Sequence, residues 1–154
     1  MFIEKLIRSF EKFKVPYTLV GGYAVALHGL MRSTVDVDLL TRLDEQNLAR
    51  AEQALLALGL QSRVPVTASE VARFRKEYIE RRNLIAWSFV NPKNPMEMVD
   101  ILLTHDLRDV SVIHKKMQDF KISIISIDDL IMMKKEAGRP QDLEDIRGLR
   151  ALKK

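Results

Sequence analysis

Asp36 and Asp38 stand two apart in the run VDVDLL, and Asp100 sits alone in MEMVDILL. In an extended strand, side chains at i and i+2 share a face. Asp36 and Asp38 therefore project together on the side of Leu40, while Val35, Val37 and Leu39 face the other way. Two carboxylates side by side in an apolar strand repel each other and resist losing water. An edge strand could turn a bare D-x-D to solvent. Here each acid has aliphatic neighbours on both sides, and Asp100, between Val99 and Ile101, repeats the pattern. A divalent cation is the simplest counterweight: Mg²⁺ takes hard oxygen ligands and is commonly held by one or two carboxylates together with substrate phosphates. Nucleotidyl transfer uses such an arrangement, with two cations ~3.5–4 Å apart that activate the attacking oxygen and clamp the triphosphate. Two carboxylates would bridge the ions, and a third on an adjacent strand would hold the catalytic ion and assist as general base.

Gly21-Gly22 follow one short apolar run and precede another. Glycine lets the backbone approach a ligand closely, and a helix N-terminus favours phosphate oxygens. Thirteen residues separate this pair from Asp-Val-Asp. The combined stretch GGYAVALHGLMRSTVDVDLL resembles the signature of the DNA polymerase β-like nucleotidyltransferase superfamily. HGLMRSTVDVDLL is similar to its R-x-T-x-D-x-D form. The closing segment IDDLIMMKKEAGRPQDLEDIRGL, with its K-x-x-x-x-R-x-x-D-x-x-D spacing, resembles the small bacterial and archaeal members, among them minimal nucleotidyltransferases and AbiEii-type proteins of toxin–antitoxin modules. The resemblance runs from Tyr17 to about Leu149 and is weakest over residues 60–95. It implies that Gly21 and Gly22 cradle a triphosphate, with Arg32 or Ser33 nearby. Asp36 and Asp38 would bind two Mg²⁺ ions (or Mn²⁺) and Asp100 the catalytic one. Lys134 would reach the phosphates or base, supported by Asp142. Gly22 stands where the superfamily often has Ser, so a hydroxyl contact to phosphate is missing.

These residues need elements to hold them. Residues 2–14 align Ile3, Leu6, Ile7, Phe10 and Phe13 on one helical face, and Pro16 ends it. Residues 17–20 read as a buried strand, 23–30 as a short helix and 35–41 as a second strand. Helices are predicted over 44–58, with Gly59 as the stop, and over 67–82, with Thr67 as a cap. Residues 84–90 and 96–103 read as a hairpin joined by NPKNP. A helix over 106–118, a strand at 122–127 and two C-terminal helices broken at Gly138 and Pro140 complete the pattern. The fold class is α+β (mixed α/β): a single nucleotidyltransferase domain over residues 1–154, a mixed sheet of about five strands flanked by helices, with the C-terminal helices on the core.

Other features read as structural. His28 satisfies a buried carbonyl, and the histidines at 28, 105 and 114 form no zinc-type cluster. Arg73, Arg75, Lys76, Arg81 and Arg82 interleave with glutamates as a solvated face laced with i,i+4 pairs. Met96, Met98, Met132 and Met133 fill core, and Arg139 caps carbonyls near a helix break or acts in the site.

The chain has 25 Lys+Arg against 21 Asp+Glu, a formal charge of +4 that suits a nucleotide or RNA. It has no cysteine, which excludes disulfides and thiolate metal sites and fits a cytoplasmic protein. No run is long and apolar enough to span a membrane. With aromatics at 6%, stacking platforms for a dedicated RNA-binding protein are missing. The leading expectation is an Mg²⁺-dependent enzyme moving a nucleoside monophosphate from an NTP to a hydroxyl of RNA, protein or a small molecule, within a toxin–antitoxin module or outside one. The alternative is a non-catalytic antitoxin that contacts a partner protein.

Overall fold

The structure, a computed structural model, describes residues 1–153. Its centre is a seven-stranded mixed sheet ordered β3-β4-β5-β2-β1-β7-β6. The strands are β1 (Thr18–Val20), β2 (Val37–Leu40), β3 (Gln61–Ser62), β4 (Ala86–Asn91), β5 (Asn94–Leu102), β6 (Val112–Lys116) and β7 (Lys121–Ile125). Pairing is parallel for β2–β5 and β1–β7 and antiparallel elsewhere.

Helices cover both faces. On one side lie α1 (Phe2–Lys12), α3 (Glu45–Leu56) and α4 (Ala68–Arg82). They share a core with Leu19, Val37, Leu39, Val99, Ile101, Trp87 and Phe89. On the other side lie α2 (Gly21–His28), α5 (Ile127–Ala137) and α6 (Pro140–Leu152), packed on Val20, Leu40 and Ile125 in a smaller cluster. The alternation expected along β2 holds: Val37 and Leu39 join the larger core, while Leu40 joins the smaller one beside Asp38.

Local chemistry sets the helix ends. Thr67 and Glu70 form the reciprocal cap that starts α4. Asp44 accepts from the Asn47 amide at the start of α3. Gly59 and Gly138 adopt φ +87 and +64 where α3 and α5 end, the left-handed region in which glycine is favoured.

Several expectations need correction. The segment predicted as a helix over 106–118 is a 3₁₀ turn at Leu107–Asp109 followed by edge strand β6. Asp106 caps the start of the turn by taking the Arg108 amide, but the chain leaves it after Asp109, and Val112 and Ile113 then pair with β7. All five β6 residues are exposed, so no burial periodicity marked the strand. With β6 and the two-residue β3, the sheet has seven strands rather than about five. The strand expected at 35–41 begins at Val37, leaving Asp36 outside it. β1, which supports β2, ends at Val20 opposite Asp38, where the chain turns into α2. Met96 and Met132 are exposed rather than core. No ion pair forms within α4 among the described residues. Its arginines instead lie over Phe74 and Tyr78 or donate to the Leu103 carbonyl.

Candidate active site

Asp38 and Asp100 are direct neighbours in the parallel β2–β5 register. Both line one cleft of about 570 Å³ between the sheet and α5–α6. Burial first, then the charges of Asp100 and Asp36, raise the Asp38 carboxyl from its ordinary 3.8 to about 7, against the pull of Arg139. One oxygen of Asp100, Oδ1, is buried without a hydrogen-bond partner. A half-buried pair that holds an unmet acceptor, and of which one member gives up its charge when alone, is a site with unfilled demand for positive charge.

Asp36 is exposed on the loop before β2. Its charge reaches Asp38, yet among the described residues no three His, Asp or Glu side chains cluster tightly enough to cage an ion. The arrangement is therefore a pair in register with a third carboxylate at the rim.

Gly21 opens α2 with φ +64, and a Cβ there would lie 2.4 Å from Asp38 Oδ2. The backbone presses against the acid more closely than a side chain would allow. Gly22 is similarly confined, since its Cβ would meet Thr34 Oγ1 at 2.8 Å. Val20 is the N-cap and supplies no side-chain acceptor. The amides of the first turn of α2 thus stay open beside Asp38, as an anion site requires.

The facing wall is a charge network. Lys134 is buried, its Nζ 3.2 Å from Asp142 Oδ1 and 2.9 Å from Asp145 Oδ2. Arg139 Nε donates to Asp142 Oδ2 at 2.8 Å, and the Arg139 amide donates to the same oxygen. Burial would raise the Asp142 carboxyl, but the hydrogen bonds of Arg139 and Lys134 outweigh it and hold Asp142 below the usual range. Arg32 lies 3.5 Å from Asp145 and donates to the Ser33 carbonyl. Ser33 itself is exposed. Lys134 and Asp142 line the cleft with Asp38 and Asp100, whereas Arg32 and Ser33 do not.

Sequence reasoning left Arg139 open between a cap and the site and did not name Asp145, although both stand in the K-x-x-x-x-R-x-x-D-x-x-D spacing. Arg139 bonds a carboxylate rather than capping carbonyls. His105 was also missed: its Nε2 is 2.9 Å from Glu136 and its Nδ1 2.9 Å from Thr104 Oγ1, at the far end of the cleft. No local motif marked it, because the bond spans β5 to α5. His28 satisfies the Ile125 carbonyl at 2.7 Å, the structural role expected of it.

A family model described as "Nucleotidyltransferase of unknown function (DUF6036)" matches residues 2–153. No curated protein matches. Among solved structures, the lincosamide antibiotic adenylyltransferase LnuA with bound lincomycin aligns with a TM-score of 0.66 at 18% identity, covering 98% of this chain and 96% of that one. The antibiotic-resistance factor ANT(2'')-Ia aligns with a TM-score of 0.63 at 12% identity, over 96% and 80%. An antigenic nucleotidyltransferase-like protein from Paracoccidioides brasiliensis gives 0.57 at 15%, over 98% and 74%. At these identities the likeness bears on the fold.

Proposed function

Since the chain belongs to that nucleotidyltransferase family, we propose that it transfers a nucleoside monophosphate from an NTP to a hydroxyl acceptor, with Mg²⁺ held by Asp38 and Asp100. The observation that carries this reading is the Asp38–Asp100 pair in register, with its unbonded oxygen, beside the open first turn of α2. The donor set fits a hard divalent cation: it is all carboxylate, partly desolvated and short of positive charge. Asp36 is the third carboxylate, serving a second ion at the rim. Mn²⁺, which also takes oxygen ligands, would substitute. When bound, the cation would neutralise charge on the triphosphate and make the acceptor hydroxyl more acidic.

The chain's own groups do the rest. Gly21 and Gly22 bring open amides against phosphate oxygens and fix the triphosphate along α2. Asp100, which lines the cleft beside Asp38, takes the acceptor's proton. The acceptor oxygen bonds the α-phosphorus while the bond to the β-phosphate oxygen breaks, and pyrophosphate leaves. The walls of the cleft, with Leu102, Leu130 and Met133, keep bulk water from competing as acceptor.

A small-molecule acceptor is supported by the similar folds of LnuA, which holds lincomycin, and of ANT(2'')-Ia, which has been solved with adenylyl-2''-tobramycin. RNA and protein hydroxyls, including those of a toxin–antitoxin partner, are the other acceptors to assay. The test is incorporation from α-labelled NTPs into total RNA, a partner protein or a panel of hydroxylated small molecules. Asp38→Asn should lower transfer by ~10³-fold or more, worth at least ~4 kcal/mol of barrier. Equal labelling by wild type and variant would remove Asp38 from the site and the reading with it.

A further inference from the structure

Five side chains form one charge network on the side of the cleft facing the acid pair: Arg32, Lys134 and Arg139 as cations, Asp142 and Asp145 as anions, of which Lys134, Arg139 and Asp142 line the cleft. The network therefore carries one net positive charge, and the question is which side chain presents it. The family spacing points to Lys134. The geometry points elsewhere.

Lys134 is enclosed, its side chain 7% exposed; its Nζ donates to Asp142 Oδ1 and lies 2.9 Å from Asp145 Oδ2, on carboxylates 2% and 5% exposed. Its charge is already set against two buried carboxylates. Arg32 is turned to Asp145 and the Ser33 carbonyl, away from the cleft lining. Arg139 is 75% exposed, and Asp142 takes only its Nε edge, at 2.8 Å, and a long contact from one terminal nitrogen at 3.4 Å. The other terminal nitrogen keeps its donors free. Arg139 also lines the same cleft as Asp38 and Asp100. A guanidinium presents a rigid fork of donors that matches two phosphate oxygens at once.

We infer that Arg139, held by Asp142, is the cation that binds the β- and γ-phosphates of the NTP, and that Lys134 is a buried strut between Asp142 and Asp145. This rests on the nucleotidyl-transfer reading above. The strut fixes Asp142, Asp142 aims Arg139, and Arg139 sits at the N-terminus of α6 where its reach into the cleft is set by the helix start.

The experiment measures binding, by isothermal titration with Mg²⁺, of a non-cleavable α,β-methylene ATP and of inorganic tripolyphosphate. Arg139→Gln should weaken both at least tenfold without lowering the melting temperature greatly, since Asp142 keeps Lys134. Arg139→Lys should recover part of the loss. Lys134→Gln should lower the melting temperature while changing either affinity less than threefold in the folded fraction. The inference is overturned if wild type binds both probes and Arg139→Gln binds them equally well. It is also overturned if Lys134→Gln loses binding at an unchanged melting temperature. Wild type that binds neither probe would overturn the nucleotidyl-transfer reading as well.

Discussion

At Asp38, titration separates the metal-free protein from the loaded one. Its folded carboxyl is raised to about 7 against an ordinary 3.8, so the folded state holds a proton that the unfolded chain has released. Stability from this group is complete below about pH 4 and is lost as pH rises through 7. In EDTA, melting temperature should fall across that window. Asp38→Asn, which cannot ionise, should flatten the decline. Millimolar Mg²⁺ should stabilise the wild type most at the alkaline end, by RT ln(1 + [L]/Kd), because it needs the ionised pair. A melting temperature indifferent to both pH and Mg²⁺ would contradict the site. Gly21 tests the same acid from the backbone side. Gly21→Ala forces a side chain into a left-handed conformation, costing ~1–2 kcal/mol, and drives its Cβ into Asp38 Oδ2. Chemical denaturation should show that loss, and transfer should fall further than stability. At this scale the sequence was legible for the placing of Asp38 and Asp100 in strands, because each acid stands between aliphatic neighbours. Arg139 was not, since only packing shows that Lys134 is already engaged.

Among the elements, α5 and α6 are joined by the Lys134 strut. Lys134→Met should lower stability in urea melts by taking the buried cation from between Asp142 and Asp145, leaving Asp142 to Arg139 and Asp145 to the 3.5 Å contact of Arg32. Removing both acids in addition should recover much of it. Asp142 has the opposite pH sign to Asp38: its lowered carboxyl contributes stability at neutral pH that is lost as pH falls through the acid range. Asp142→Asn should blunt acid unfolding. Helices α1, α3 and α4 were readable because each buries a stripe at helical spacing, as Leu48, Ala51 and Leu55 do in α3. Strand β6 was not, because its residues bury nothing and its identity comes from pairing with β7. Asp36 escaped its expected strand for a related reason: β1 ends at Val20, opposite Asp38, so the chain before Val37 has a neighbour on the β5 side alone.

For the molecule as a whole, the two faces of the sheet divide the work. The larger core lies with α1, α3 and α4; the smaller one underlies α2, α5 and α6, whose faces border the cleft. Hydrogen exchange with Mg²⁺ and a non-cleavable NTP should therefore slow amides at the start of α2 and in α5–α6. Amides of α3 and α4 should be unchanged; slowing spread evenly over both faces would argue against binding at this cleft. Strand alternation in the sequence forecast a helix-flanked mixed sheet, but not the sheet's order, which depends on which strands find one another. The parallel register of β2 with β5 follows from that order and has a kinetic side. Asp38 and Asp100 meet only after the chain has run out through α3, β3, α4 and β4 and returned. Parallel pairing across such a span forms late, because a long loop must close before its contacts are gained. The two carboxylates lie far apart along any partly folded chain, so an immature molecule cannot bind the cation or spend nucleotide. Competence for chemistry therefore waits on a long-range pairing, which makes activity itself a report that β2 and β5 have met.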